Sequence, residues 1–129
     1  MKRNPDHNAP LVEASARGLG VRPTDLTPCE LGLAHSRRGG MSVAPSMTDI
    51  QPWRIPARLG HLVEGATGPD SDHVWVLGQA DFVDAAVAPG LVLRTTSDSH
   101  GVVEPDECRP FHEYVADLAA TADEWKVFA

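Results

Sequence analysis

The strongest constraint in this 129-residue sequence is an apolar stripe near its end. From Phe111, the residues Tyr114, Val115, Leu118, Ala119, Ala122 and Trp125 recur at spacings of three and four, which places them on one face of a helix. His112, Glu113, Ala116, Asp117, Thr121 and Glu124 fall largely on the other side. Pro110 suits the first turn, where a missing N–H costs nothing, and Glu113 sits near the positive end of the helix dipole. Such a stripe requires a cover, and the β-rich run from Val74 to Val103 is the segment that offers one.

The rest of the chain reads as short strands and long connections, as eleven prolines and eleven glycines imply. HVWVL (73–77), LVLRTT (91–96) and Gly101 to Glu104 read as strands. MSVA (41–44) reads as a brief strand leaving a glycine turn. DFVDAA (81–86) reads as a turn of helix or a loop. Thr27, Pro28 and Glu30 have capping-box spacing, so a helix from Pro28 to about Ser36 is expected, with a strand through Leu31 to His35 as its rival. Pro52 and Pro56 exclude a long helix between them but leave room for a helical turn at Ala57 to Leu59. Glu64 to Asp72 is turn chemistry throughout and reads as an exposed, mobile loop. Residues 1–10 are polar and proline-bearing and read as disordered, which leaves 11–129 as one domain. The fold class is α+β, built on a small, mostly antiparallel sheet.

Charge narrows the partners. A formal −7 opposes nucleic-acid binding, which wants a basic stripe. No run approaches membrane-spanning length, and the basic start MKR lacks the apolar segment of a secretory signal, so a cytoplasmic, soluble protein is expected. In that setting Cys29 and Cys108 read as reduced thiols.

Four places carry candidate chemistry. His100, Glu104, Cys108 and His112 are spaced by four, but Pro105 and Pro110 break any helix that would align them as metal ligands; surface placement of His112 and half-burial of Cys108 is the plainer reading. In the alternating frame of HGVVEP, His100, Val102 and Glu104 share one face, where Glu104 would stabilise a cationic transition state or orient a hydroxyl. A glutamate at a strand end in solvent is the competing view. GGMSV combines two glycines that let a ligand approach the backbone with the Ser42 hydroxyl, close in sequence to Arg37 and Arg38. Trp53, beside Arg54, suits either stacking on a planar ligand or pinning its loop to the core, the latter being favoured; Trp75 and Trp125 read as packing residues. Walker-type, GxGxxG and G-x-S-x-G motifs are absent from the sequence.

Taken in order, GG-x-S-V at 39–43, WVL at 75–77, P-x-L at 89–91, H-x-x-x-x-P at 100–105 and a helix closing on Trp125 form a pattern. It resembles the type VI secretion effector toxins whose fold is related to the mono-ADP-ribosyltransferases, together with stand-alone actinobacterial and fungal proteins grouped with them. The resemblance spans Gly39 to Trp125 and implies two packed, mostly antiparallel β-sheets with flanking helices around an NAD cleft. It further implies NAD as substrate, with catalytic roles for Glu104, Ser42 and His100. It implies His35 or Arg37 as the first-strand basic residue that meets NAD, with Arg38, Gly40, Trp53 and Arg54 as further expected contacts from the residue readings above, and a neighbouring immunity protein as partner. The sequence departs from that pattern in lacking an S-T-S triplet and an E-x-E or Q-x-E pair before Glu104. A non-catalytic interaction module is the alternative, and a small metal-dependent hydrolase a third.

Overall fold

The structure, a computed structural model, describes residues 32–34, 39–78 and 81–128. The expected disorder of residues 1–10 and the capping box at 27–30 lie outside the described residues, as does Cys29.

Eight strands are described: β1 (Leu33–Ala34), β2 (Met41–Val43), β3 (Trp75–Leu77), β4 (Ala85–Ala88), β5 (Leu91–Ser97), β6 (His100–Pro105), β7 (Arg109–Pro110) and β8 (Trp125–Val127). Four of them form an antiparallel sheet in the order β2-β6-β5-β4, while β1 pairs with β7 and β3 with β8 in two antiparallel ribbons. One α-helix, α1 (Phe111–Ala120), stands among the described residues. The α+β class and the antiparallel pairing are therefore as expected. Leu33 and Ala34 are extended, so at these positions the strand prevails over the expected 28–36 helix; pairing with Arg109 and Pro110 supplies the tertiary partner that local propensity ignores.

The apolar stripe of α1 finds its cover. Tyr114 and Leu118 are fully buried with Met41, Leu91 and Val103 from the sheet, and Ala34, Trp75 and Trp125 bring both ribbons into the same core. Trp75 and Trp125 pack as anticipated. The helix nevertheless stops at Ala120, short of Trp125, which opens β8 instead. Thr121 explains this. Its hydroxyl donates to the Leu118 carbonyl at 2.7 Å and accepts the Trp125 indole N–H at 3.0 Å, both buried, so the side chain occupies the carbonyl that the next turn needs. Thr121 is thus a buried residue, not part of the solvent face. At the other end Pro110 precedes the helix rather than lying within its first turn, and the Phe111 N–H donates to Gly32 at 3.0 Å.

Two further stretches differ from expectation. The segment read as DFVDAA turn or loop enters β4 at Ala85. Asp84 fixes it, because its carboxylate accepts both the Thr95 N–H and the Thr95 hydroxyl, drawing the segment alongside β5. The run from Glu64 to Asp72 is largely exposed, as expected, yet hydrogen-bonded at several points rather than loose. Thr67 donates to Pro52, Gly68 exchanges bonds with Ile55 and Ala57, and Arg58 reaches the Asp70 and Asp72 carbonyls. Beneath it lies a second small core of Ile55, Leu59, Val63 and Val74. The turn at Ala57–Leu59 forms as a 3-10 turn, as Pro52 and Pro56 allow.

Gly90, at φ +78°, makes the β4–β5 turn where it abuts the helix; a Cβ there would stand 2.6 Å from an Asp117 carboxylate oxygen. Arg109 ties the same corner together, pairing with Asp106 and, at 3.2 Å, with Asp117.

Candidate functional site

The register of the central sheet decides which side chains meet. Ser42 pairs with Val102, and Val102 pairs with Arg94, so the three form one row across β2, β6 and β5. His100 and Glu104 lie two residues to either side of Val102 and therefore share its face. The opposite face carries Met41 and Val103 into the helix-covered core. The three residues expected to be catalytic, Ser42, His100 and Glu104, thus belong to one face of one sheet.

Their environments differ along that face. Glu104 is buried, 3% exposed, and both of its carboxylate oxygens lie 3.1 Å from the Nε of Arg94. Val92 is directly opposite Glu104, so Arg94 reaches it on the diagonal, a separation that a long side chain spans. The solvated strand-end glutamate of the competing reading is therefore not what the fold makes. A charged pair this buried keeps its geometry because either partner alone would be costly to bury.

At the far end of the strand His100 is exposed beside the tight turn between β5 and β6. Thr96 Oγ1 lies 2.6 Å from His100 Nδ1 and donates to the His100 carbonyl at 3.1 Å. The hydroxyl has one proton. Both contacts are satisfied together when Nδ1 carries a hydrogen and donates to Thr96, which leaves Nε2 as the basic ring nitrogen. Ser42 is exposed on the edge strand β2.

The remaining candidates are distributed. His35, Arg37 and Arg38 lie outside the described residues. Gly40 is buried, and a Cβ there would stand 2.4 Å from the Val103 carbonyl oxygen and 3.0 Å from the Tyr114 hydroxyl. Its small size makes room for protein atoms. Gly40→Ala is expected to destabilise the domain by about 1–3 kcal/mol through overpacking, measured as a lower urea midpoint. Trp53 and Arg54 occupy a 3-10 turn at Pro52–Arg54, and Trp53 is 62% exposed, so the favoured role of pinning the loop to the core is not realised. Ile55 and Pro56, both fully buried, do that instead. Among the described residues no hydrogen bond or ion pair joins Trp53 or Arg54 to the sheet face. Of the evenly spaced quartet, Glu104 is on β6 with Arg94, Cys108 is exposed rather than half-buried, and His112 is exposed on the first turn of α1.

Arg94 was not among the expected site residues. Only part of its signal was legible: an arginine within the apolar strand LVLRTT and a glutamate within GVVEP, one on each side of a single tight turn. Counting outward from Ser97 and His100 would set Arg94 opposite Val103, on the other face; the bulge between Thr95 and Ser97 moves it opposite Val102 and so beside Glu104.

Searches against protein-family models, curated proteins and solved structures gave no match.

Proposed function

We propose that the chain is a mono-ADP-ribosyltransferase-like toxin domain that takes NAD as substrate on the outer face of its four-stranded sheet. The observation that carries this reading is the register that sets Ser42, His100 and Glu104 on one face with Arg94. Loss of nicotinamide leaves an oxocarbenium-like ribose, and a fixed carboxylate nearby lowers that barrier electrostatically. Glu104 supplies the carboxylate, Ser42 a hydroxyl that hydrogen-bonds the nicotinamide ribose, and His100 Nε2 a proton acceptor at the open end. Glu104 is buried against Arg94, so its charge acts on the ribose across the sheet face rather than by direct contact. His35, Arg37, Arg38, Trp53 and Arg54 remain proposed contacts of the dinucleotide. A dedicated immunity protein is the proposed partner, and the target is proposed to be cytosolic.

Purified protein is expected to release nicotinamide from NAD in the presence of acceptor. Glu104→Gln, which still accepts a hydrogen bond from Arg94, is expected to abolish release while the thermal unfolding curve stays cooperative. Equal release from wild type and Glu104→Gln would sink this reading.

A second reading, a non-catalytic interaction module, has its own observation in favour. Val76, Val127 and Phe128 are exposed on the β3–β8 ribbon beside a shallow groove of about 400 Å³ that also involves Gly78, Glu124 and Lys126. An apolar strip of this kind suits a protein partner. Its sign is a complex that survives purification without NAD and is lost with Phe128→Asp.

A further inference from the structure

We infer that Arg94 is an anchored oxyanion site, and that its terminal guanidinium nitrogens take the phosphate oxygens of a ligand at the sheet face. The guanidinium carries three donor nitrogens. Only Nε is engaged, by a three-centre contact to the two oxygens of Glu104 at 3.1 Å each. Among the described residues Nη1 and Nη2 have no hydrogen bond or ion pair, and neither is a buried atom lacking a partner. The side chain is 23% exposed. Four N–H donors thus stand in a planar fork with no protein acceptor, on a group whose orientation is already fixed from below. Arg58 and Arg109 make the contrast: Arg58 donates to backbone carbonyls through Nε and Nη2, and Arg109 is spent on Asp106 and Asp117.

The chemistry of that edge selects its ligand. A planar pair of amino groups matches two oxygens of a phosphate or carboxylate, and charge assistance makes each bond roughly twice as strong as a neutral one. Glu104 offsets the positive charge, so the anchor discriminates by geometry more than by long-range attraction. That favours a multidentate anion, a pyrophosphate, over a small monovalent one. The exposed Ser42 hydroxyl in the same strand row supplies a further donor. The identity of the anion as the pyrophosphate of a dinucleotide rests on the NAD reading above; the anion site itself does not.

Inorganic pyrophosphate, ADP-ribose and NAD, each titrated into the full chain by calorimetry, test this. Wild type is expected to bind pyrophosphate and ADP-ribose. Arg94→Lys keeps a cation on Glu104 but lacks the fork, and is expected to bind both about tenfold more weakly. Arg58→Ala is expected to bind as wild type does. A second measurement needs no variant: pyrophosphate is expected to protect Arg94 in the wild-type chain from butanedione, with the modified peptides mapped by mass spectrometry, while Arg58 is not protected. If Arg94→Lys fails to fold, protection alone decides. Unchanged pyrophosphate affinity in a folded Arg94→Lys, or modification of Arg94 indifferent to pyrophosphate, overturns the inference. Pyrophosphate binding that depends on Arg94 without any nicotinamide release would uphold the anion site and remove the NAD reading. Nicotinamide release with pyrophosphate affinity untouched by Arg94→Lys would do the reverse.

Discussion

Tyr114→Ala is expected to lower the unfolding free energy by about 4 kcal/mol, near the upper part of the range for a fully buried aromatic. Tyr114 is completely buried at the centre of the main core, against β2, β6 and the ribbons. Its hydroxyl adds a second contribution. Met41 donates its backbone N–H to the Tyr114 oxygen at 3.2 Å, and that hydroxyl donates to the Val103 carbonyl. Met41 and Val103 are register partners, so the phenol completes a rung between β2 and β6 from the helix. Tyr114→Phe keeps the ring and removes the rung, stranding a buried N–H and a buried carbonyl, and is expected to cost about 2 kcal/mol. Urea unfolding of the two variants separates ring from hydroxyl. A Tyr114→Phe midpoint equal to wild type would show that the rung contributes nothing.

Arg94→Ala is expected to cost about 3 kcal/mol, because it removes the cationic Nε–H that both oxygens of the buried Glu104 carboxylate accept from. The value lies at the low end for buried pairs since Arg94 is itself partly exposed. Replacing both partners, Arg94→Leu with Glu104→Leu, is expected to recover at least half of that loss, because two apolar side chains of similar bulk need no pairing. The double-mutant cycle measures the coupling directly. Additive effects would mean that the pair is incidental to stability. The double variant is also expected to be inactive towards NAD while folded, which separates the pair's structural role from its proposed chemical one.

How far the fold could be read from sequence depended on whether a signal was local. The stripe of α1, the strands expected at 41–44, 91–96 and 101–104 and the turn at Ala57 to Leu59 all rest on periodicity or proline chemistry within a dozen residues, and all are present, the strands as Met41–Val43, Leu91–Ser97 and His100–Pro105. The misreadings came from side-chain hydrogen bonds and strand pairing, which apolar periodicity does not register. The end of α1 is set by Thr121 bonding to Leu118 and Trp125, and β4 by Asp84 gripping Thr95. Leu33 and Ala34 take their conformation from β7, more than seventy residues later. Trp53 illustrates the remaining gap: large aromatics favour burial on average, but Ile55 and Pro56 next to it already fill the small core. At the candidate site, alternation alone placed His100, Val102 and Glu104 together. Adding Ser42 and Arg94 required the register between strands, which for β2 and β6 no local turn encodes and for β5 and β6 includes a bulge between Thr95 and Ser97 that the turn does not announce.

The central claim is that the outer face of the four-stranded sheet receives the ligand. The most direct test is a 1H–15N NMR titration of the full chain with NAD, following backbone amides and the arginine Nε–H groups. The account predicts shifts at Ser42, Arg94, Thr96, His100 and Glu104, including the Arg94 Nε–H, with Val76, Lys126 and Phe128 unmoved. An unperturbed spectrum at saturating NAD, or shifts confined to the β3–β8 ribbon, would contradict it.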